Sequence, residues 1–600
     1  MPETSHHGAA AHRLTPDLFA LLLWLLFGAA ALLVHRDAIA TLTFSDPDNA
    51  MRLAQVRDLA AGQGWFDTTQ YRVNPADGGG LMHWSRFIDA QLFAVIAVLR
   101  LFAEPAAAER WAVAIYPLLL ILPLLLVFSR LLRILGDRAF ALAGLAIAAS
   151  SLTFVHYFAP LNIDHHNWQL LLAVTLLWLA LRPGDFATGI AAAFVASLYV
   201  EISLEGLPFL IFFWALFILD WLRDGGNDAR LAGFSAGLVL IPALWLLLMR
   251  GGAGLRDASC DSFSLPYLAA VASAGAVLSA VLATGGGFAA ALPRRLLVVA
   301  LAGAVGAAAL VATGPDCLAG PFAALEPLVR TYWYDLIPEG RPLWEQKPAV
   351  AALYLGPTLV GGAALVWACR RARGRPEAEN WMRMVFLILC STLLALFVAR
   401  TIAVAHAYMV PPFAALATAL WRWSRARRTA PGRIGAALLL LPALPLVDSL
   451  LAMKLVAPGT GQATASSAAA GTTARCPTAA MLAPLAKAPP ALVFAPVHIG
   501  PALLTGTPHS VVATGHHRNH AAMNRVIAAF LAPPDAARAI VRAEGADYLV
   551  LCTRQTEVAN TAAVSPDGLA AHLLRGARIG WLEPVAALSS GELRVYRVAD

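Results

Sequence analysis

The sequence predicts a polytopic α-helical membrane protein with a C-terminal α/β domain. Of its 600 residues, 59% are hydrophobic and only 14% are charged, which is far from the composition of soluble globular proteins. Apolar segments of about 20 residues, the length that crosses a bilayer, recur as far as residue 452. Short β-rich segments then alternate with helical ones, which is typical of a small α/β domain.

The membrane domain is predicted over residues 1–452, with about 13 spans. The first apolar segment has an Arg-containing start and a small-residue sequence, Ala38-Ile39-Ala40, as signal peptides do, but the many later spans favour an uncleaved helix. The predicted spans are 17–35, 110–129, 139–158, 167–182, 186–200, 206–222, 231–249, 265–284, 296–313, 350–368, 383–399, 402–421 and 434–452.

Charge decides how a further apolar stretch, 87–102, is placed. It is short and contains Asp89 and Arg100. If it lies at the membrane surface, all the Arg-rich loops fall on one side, as the positive-inside rule requires. We therefore predict an interfacial helix, a bacterial inner membrane and a set of periplasmic loops that hold most of the carboxylates. Because the net charge of +7 comes from these loop arginines, nucleic-acid binding is not expected.

A linker is predicted at 453–475, where Gly, Ala, Ser and Thr dominate, and the α/β domain at 476–600 is placed in the periplasm. Its predicted strands contain 492–494, 510–512, 548–551 and 594–596, with a helix near 534–544. Four of the six cysteines face an oxidising compartment in this topology, which permits disulfides but selects no pairing. These are Cys260, Cys317, Cys476 and Cys552.

Polar clusters follow the spans on the predicted periplasmic side. The first loop contains Asp46-Pro47-Asp48 and later His83, and the second contains Asp164-His165-His166. Charged groups at a membrane boundary are costly unless they pair or bind a ligand, so one shared polar site is predicted. Asp164 and His166 project to the same side of an extended segment. Such oxygen and imidazole ligands favour manganese or magnesium, although a solvated loop would also carry this triplet.

The predicted loop 314–349 is longer than a simple connection requires. It contains Glu339 and Glu345, each near a proline. A mobile cover over a site and a structured surface loop are both compatible with this pattern.

Together these segments resemble the catalytic subunit of oligosaccharyltransferase and its relatives in the GT-C class of polyprenyl-linked-sugar glycosyltransferases. Asp46 to Arg52 is similar to the family's Asp-Pro-x-x-x-x-Arg, and His83 resembles a loop histidine of the archaeal members. Asp164-His165-His166 is similar to the second-loop Asp-x-Asp or Asp-x-His. Leu336-Ile337-Pro338-Glu339 partly matches Thr-Ile-x-Glu, with Glu345 as the rival position.

The resemblance implies a GT-C-like enzyme that transfers a sugar or oligosaccharide from a polyprenyl phosphate or diphosphate to a glycan, lipid or protein acceptor. A manganese or magnesium ion would stabilise the leaving phosphate. Asp48 has two interpretations, an acceptor-side general base and a simple helix cap. The implied metal ligands, of which Asp46 and Glu339 also count as catalytic, are Asp46, His83, Asp164, His166 and Glu339.

The sequence also departs from the family pattern. No arginine stands at the start of the penultimate span, so Arg400 and His406 are the two candidates for holding the lipid phosphate. The Trp-Trp-Asp-Tyr-Gly motif is replaced by a segment that contains His498, a candidate substrate contact, and recognition of an Asn-x-Ser/Thr peptide is not supported. The polar run 515–520 is expected to be a solvated loop, with substrate contact or metal chelation as alternatives.

Two other functions fit a chain with many spans. A transporter or flippase of lipid-linked saccharides would carry its polar residues near the bilayer midplane, whereas these carboxylates cluster at the ends of spans. If the chain were a non-catalytic scaffold, the occurrence of acidic and histidine residues on several loops of one side would be a coincidence. The sequence therefore favours the glycosyltransferase.

Overall fold

The computed structural model describes residues 14–225, 228–284, 291–456 and 476–599. Its first part is a bundle of helices, which we label α1 to α19 in chain order. Their bounds are α1 Pro16–Val34, α2 Arg36–Thr41, α3 Pro47–Ala60, α4 Arg86–Leu99, α5 Pro105–Leu135, α6 Arg138–Ala149, α7 Leu152–Tyr157, α8 His166–Leu181, α9 Phe186–Ile202, α10 Gly206–Asp224, α11 Asp228–Gly254, α12 Leu265–Ala283, α13 Leu292–Thr313, α14 Pro327–Tyr332, α15 Pro348–Ala372, α16 Ala378–Phe397, α17 Ile402–Arg425, α18 Ala430–Leu438 and α19 Pro445–Val456.

The helices confirm a polytopic membrane protein. Within the described residues, nine helices are long and apolar enough to cross a membrane, and the pair Ala430–Ala443 and Pro445–Val456, bent by 79°, passes the same test together. Three shorter apolar helices are α6, α8 and α9. Each predicted span coincides with one of these segments, although the three short helices have only 12, 16 and 17 residues.

The stretch at 87–102 forms α4, an amphipathic helix of 14 residues. It is about 21 Å long at 1.5 Å per residue, and what distinguishes it from the even shorter apolar helix α6 is a carboxylate, Asp89, in its first turn. Its Asp89 is fully buried and pairs with Arg52 of α3 at 2.9 Å and with Arg86 at 3.2 Å. A buried charge needs such partners, and here the protein supplies them instead of the lipid.

The arginine-rich connections meet at one end of the bundle. Arg133 at the end of α5 pairs with Asp17 at the start of α1 at 3.5 Å. Arg223 at the end of α10 pairs with Glu379 at the start of α16 at 3.0 Å. These contacts join helix ends that the charge pattern assigns to one side. The opposite end is covered by residues 476–599, and we call it the capped face.

The C-terminal part of the chain is an α/β domain, as the sequence predicts. Its strands are β3 Leu492–Phe494, β4 Ser510–Val511, β5 Tyr548–Cys552, β6 Leu582–Pro584 and β7 Leu593–Val598, after a two-stranded β1 Thr69–Gln70 and β2 Gly80–Leu81 in the first loop. The α/β domain has a five-stranded mixed sheet of order β4-β3-β5-β7-β6, in which β3 runs parallel to β4 and β5, whereas β7 is antiparallel to β5 and β6. Its helices are Ala479–Leu482, Gly500–Gly506, His520–Leu531, Pro534–Ala543, Thr556–Val564 and Leu569–Leu574. Of the five described strands of this sheet, β6 alone lacks a predicted counterpart, and the short strands β1 and β2 were not predicted either.

The first loop attaches this domain to the bundle. The backbone of Val511 in β4 accepts a hydrogen bond from Asn74 and donates one to Arg72, both at 2.8 Å, so the loop extends the sheet by one bridge. The Arg72 side chain donates to three carbonyl oxygens between residues 504 and 509. The capped face is therefore built from loop and domain together.

Two disulfides stabilise the capped face. Cys260 is bonded to Cys317, and Cys476 to Cys552. The predicted linker at 453–475 begins inside α19, and its residues 457–475 lie outside the described residues. The proposed domain limits, 1–452 and 476–600, stay a prediction.

Candidate functional site

The N-terminus of α3 presents two carboxylates at the capped face. Asp46 caps the helix, and its carboxylate accepts a hydrogen bond from the Asp48 backbone at 2.8 Å, while Pro47 takes the first helical position. Asp48 points toward the C-terminal domain, where it faces the imidazole of His516 at 3.4 Å. Burial opposes the charge of Asp48, but His516 outweighs it and lowers the pKa of Asp48.

Asn49 joins this helix to the second loop. It is almost fully buried, with 1% of its surface exposed. Its side-chain oxygen accepts hydrogen bonds from the backbone of Ile163 at 2.7 Å and of Asp164 at 3.0 Å, and its amide donates to Asn162 at 3.2 Å. One asparagine therefore fixes the position of Asp164 relative to Asp46 and Asp48.

Asp164 and His166 form a compact pair at the N-terminus of α8. The Asp164 carboxylate accepts a hydrogen bond from the His166 backbone at 2.8 Å and lies 2.7 Å from the Nδ1 atom of its ring. His165 stacks on His166, with the ring centres 4.4 Å apart. Burial opposes the charge of Asp164, but the two histidines outweigh it and lower the pKa of Asp164. The ligand atoms of all three residues lie within 4.8 Å of one another.

Asp46 lies in a strongly negative environment. The Asp46 side chain is exposed at the cleft, but it is also surrounded by protein atoms and neighbouring carboxylates, which disfavour its charged form. Burial, followed by repulsion from Asp48, Asp164 and Glu339, raises the pKa of Asp46 to about 8. Four carboxylates from three separate loops therefore act on one another at the capped face.

Glu339 of the long loop belongs to this group, whereas Glu345 does not. Glu339 lies 3.7 Å from Arg400, which also binds Glu205 at 2.6 Å. Glu345 instead forms an exposed pair with Arg341 at 2.9 Å. The structure thus separates the two rival positions that the sequence left open.

Arg400 lines a narrow cavity together with His166 and Glu205. Burial opposes the charge of Glu205, but Arg400 and His166 outweigh it and lower the pKa of Glu205. His406, the other candidate for holding phosphate, follows Arg400 in the chain and lies inside α17, whereas Arg400 precedes that helix. Its Nε2 atom is 3.1 Å from the carbonyl oxygen of Tyr354 in α15, so it contacts the next helix instead of the cavity wall.

Two histidines of the C-terminal domain approach the carboxylates. His498 is held by Glu557, whose carboxylate lies 2.9 Å from its Nδ1 atom, and 43% of its side chain is exposed. Burial opposes its protonation, but Glu557 and more weakly Asp46 and Asp48 raise the pKa of His498. The second is His516, which is only 5% exposed. The expectation that 515–520 is a solvated loop is therefore wrong, because this run packs against the bundle.

His83 lies in a different group. Its ring packs on that of His517 with the centres 4.4 Å apart, and His517 lies 2.7 Å from Asp261. The structure therefore brings Asp46, Asp48, Asp164, His166, Glu339, Arg400 and His498 toward one cleft, and places His83 and His406 beside it.

Several residues of the cleft were not candidates at the sequence level. Asn49 and Glu205 were unmarked, because one amide or carboxylate at a helix end carries no pattern of its own. His165 was passed over in favour of its neighbour, and Glu557 lies far along the chain. The histidines of 515–520 did give a signal, since three of six residues are His, but their burial depends on docking.

The donor set of the cleft fits a divalent cation. Carboxylates with imidazole suit manganese, magnesium or zinc. Among the described residues, the buried Nε2 atom of His166 has no hydrogen-bond partner. A cation would also relieve the repulsion that Asp46 experiences from the other three carboxylates. Asp46, Asp164, His166 and Glu339 are therefore suited to hold an ion.

No protein-family model and no curated protein matches the sequence. Solved structures do match. The oligosaccharyltransferase AglB of Archaeoglobus fulgidus, in complex with an inhibitory peptide and a dolichol-phosphate, has a TM-score of 0.63 and 15% identity, over 97% of this chain and 74% of that one. The same organism's enzyme tethered to an acceptor peptide with the NVT sequon gives 0.63 and 13% over the same shares. Its complex with Zn and sulfate gives 0.55 and 14%, over 96% and 73%.

At these identities the likeness is one of fold, and it extends over nearly the whole chain, including the C-terminal domain. It confirms the fold that the resemblance implies. The chain has the GT-C fold of the archaeal oligosaccharyltransferase.

Proposed function

We propose that this protein is an inner-membrane glycosyltransferase that moves a sugar or oligosaccharide from a polyprenyl phosphate or diphosphate to an acceptor on the periplasmic side. The observation that carries the proposal is the convergence of Asp46, Asp48, Asp164 and Glu339 at the capped face. Repulsion between neighbouring carboxylates is costly, and it contributes to the raised pKa of Asp46. A site that binds a cation and a phosphorylated lipid would explain why these four carboxylates lie together.

The proposed cleft binds a divalent metal ion. Asp164 and His166 would hold it, with Asp46 and Glu339 completing the donor set, and manganese or magnesium is the preferred ion. When bound, it would stabilise the negative charge that collects on the leaving phosphate. In support, the Archaeoglobus fulgidus oligosaccharyltransferase fold was solved in one structure with Zn and sulfate and in another with dolichol-phosphate.

Arg400 is the proposed phosphate contact, in preference to His406. It lines the same cavity as His166, and its two carboxylate partners hold its guanidinium between the start of α10, where Glu205 lies, and the long loop that contains Glu339. An arginine binds phosphate through two parallel hydrogen bonds. Glu205 and Glu339 would then position the group that receives the leaving phosphate.

The acceptor is proposed to enter between α3 and the C-terminal domain. Asp48 and His516 face each other there, and His498 is presented by Glu557 with much of its side chain exposed. Asp48 would orient or deprotonate the attacking group, and His498 would bind the acceptor. The acceptor class stays open among glycans, lipids and proteins.

Two features support the periplasmic placement. Both disulfides lie on the capped face, and disulfides persist in oxidising compartments. The arginine-rich connections meet at the opposite end, as cytoplasmic loops do. The free cysteines among the described residues, Cys369 and Cys390, lie in α15 and α16.

The test uses the full-length protein in detergent with a radiolabelled polyprenyl-linked sugar, with manganese or with EDTA. We expect metal-dependent release of sugar, lost on Asp164→Ala and kept on Asp185→Ala, a carboxylate that caps α9 at the basic end. Transport of the intact lipid-linked sugar in proteoliposomes without bond cleavage would instead support the flippase. Equal sugar release by Asp164→Ala and the wild type would contradict the proposed site.

A further inference from the structure

A second group of metal-binding side chains lies at the capped face, outside the proposed glycosyl-transfer cleft. It consists of His83 in the first loop, Asp261 in the loop between α11 and α12, and His517 in the C-terminal domain. The Nε2 atom of His517 lies 2.7 Å from the Asp261 carboxylate, and one ligand atom from each residue falls within 4.8 Å of the other two. Three segments far apart in sequence therefore meet at one point.

The contacts among the described residues do not satisfy every buried polar atom of this group. The Nδ1 atom of His83 is buried and has no hydrogen-bond partner among the described residues. Burying a polar group without a partner is unfavourable. The unpartnered Nδ1 atom of His83 is therefore available to a ligand. A neutral imidazole is the form that binds a metal.

The residues around Asp261 hold its carboxylate in place. Arg518 donates to both of its oxygens, at 2.7 and 2.8 Å, and also to Ser262 at 3.0 Å. The preceding residue, Cys260, is tied to Cys317 by a disulfide. Outer contacts of this kind orient the ligands of protein metal sites.

We propose that His83, Asp261 and His517 form a zinc site that fastens the C-terminal domain to two loops of the membrane domain. Two imidazoles and one carboxylate, with water as a fourth ligand, are a known tetrahedral zinc set. With bonds of about 2.0–2.1 Å, ligand atoms of such a site lie about 3.3 Å apart. The ligand atoms of the three residues now lie within 4.8 Å of one another, so small side-chain rotations would bring them to this spacing.

This zinc site is separate from the cleft and does not depend on its chemistry. Its three ligands come from other positions than Asp164 and His166, and it would bind zinc even if the chain transferred no sugar. Because each ligand belongs to a different segment, the ion would act as a cross-link and stabilise the docked arrangement by binding only the folded chain.

The test counts zinc in the full-length protein, purified in detergent, stripped with EDTA, incubated with Zn²⁺ alone and desalted. Every sample carries Asp164→Ala, which removes the proposed cleft ion from the count. We expect one zinc per chain, unchanged by His572→Ala, a control histidine in the same domain, and lost with His517→Ala. Equal zinc in the two histidine variants, or none in either, would overturn the proposal.

A second variant guards against a folding defect. Asp261→His deletes the carboxylate that pairs with Arg518 but restores a third metal-binding side chain. A zinc site keeps its metal in this variant, and Co²⁺ bound to it gives the visible absorption of a tetrahedral complex. If the cluster is only an ion pair, Asp261→His binds neither metal, and the proposal fails.

Discussion

Replacing Asn49 with alanine is expected to uncouple the two loops that form the proposed cleft. The substitution removes the only side chain among the described residues that accepts from both the Ile163 and the Asp164 backbone. Each N–H group that loses its acceptor costs about 1–3 kcal/mol. The loop conformation that holds Asp164 at the cleft is therefore destabilised by at least about 2 kcal/mol relative to its alternatives. At 1.36 kcal/mol per factor of ten, this corresponds to a loss of about 30-fold.

The assay measures kcat/KM for release of sugar from the labelled donor, together with the manganese concentration for half-maximal activity. Both should worsen by at least about 30-fold in Asn49→Ala. Asn380→Ala is the matched control, because it removes the same amide from the basic end of α16. A fully active Asn49→Ala protein with unchanged manganese dependence would refute the coupling.

Three further predictions address other parts of the structure. Glu339→Gln should lower turnover by about 10²–10³-fold, as loss of one charge-stabilising group does, whereas Glu345→Gln, which breaks only an exposed pair, should stay within about twofold. Glu557→Gln should lower the melting temperature mainly below about pH 6.5: a raised pKa of His498 stabilises the fold below the unfolded value, and this gain disappears as the pH rises through the folded one. Gly189→Ala would place a Cβ in steric overlap with the backbone carbonyl of Arg230 in α11, and should cost about 1–3 kcal/mol in thermal unfolding.

Each of these has its own control. Gly303→Ala meets no atom within 4 Å and should leave the melting temperature unchanged. His498→Gln should reproduce the pH profile of Glu557→Gln, and a profile parallel to that of the wild type would count against the pair. Similar turnover in the Glu339 and Glu345 variants would remove Glu339 from the site.

The membrane fold could be predicted from the sequence because apolar length and loop charge are local properties. The same holds for α4, since Asp89 inside an apolar stretch already argues against lipid exposure. The strands of the α/β domain followed from short β-rich runs, but β6, Leu582–Pro584, was missed because its sequence contains a glutamate and a proline. The pairing of cysteines depends on three-dimensional proximity and was not predictable.

The candidate site was predictable in part. Asp46, Asp164 and Glu339 stand beside spans that face the same side, so topology alone brings them to one face. Their partners depend on how the C-terminal domain docks, and neither His516 nor Glu557 carries that information in its local sequence. His83 shows the same limit, because its nearest partners come from segments about 180 and 430 residues further along the chain.

The attachment of the C-terminal domain also bears on biosynthesis. The carboxylates of the cleft belong to segments that are synthesised and inserted first, whereas the imidazoles beside them are numbered 498 and 516 of 600 residues. A nascent chain therefore carries an unfinished cleft throughout insertion, and the proposed activity would require that these late residues have been added and the domain has docked. Truncated products would occupy the membrane with an incomplete cleft.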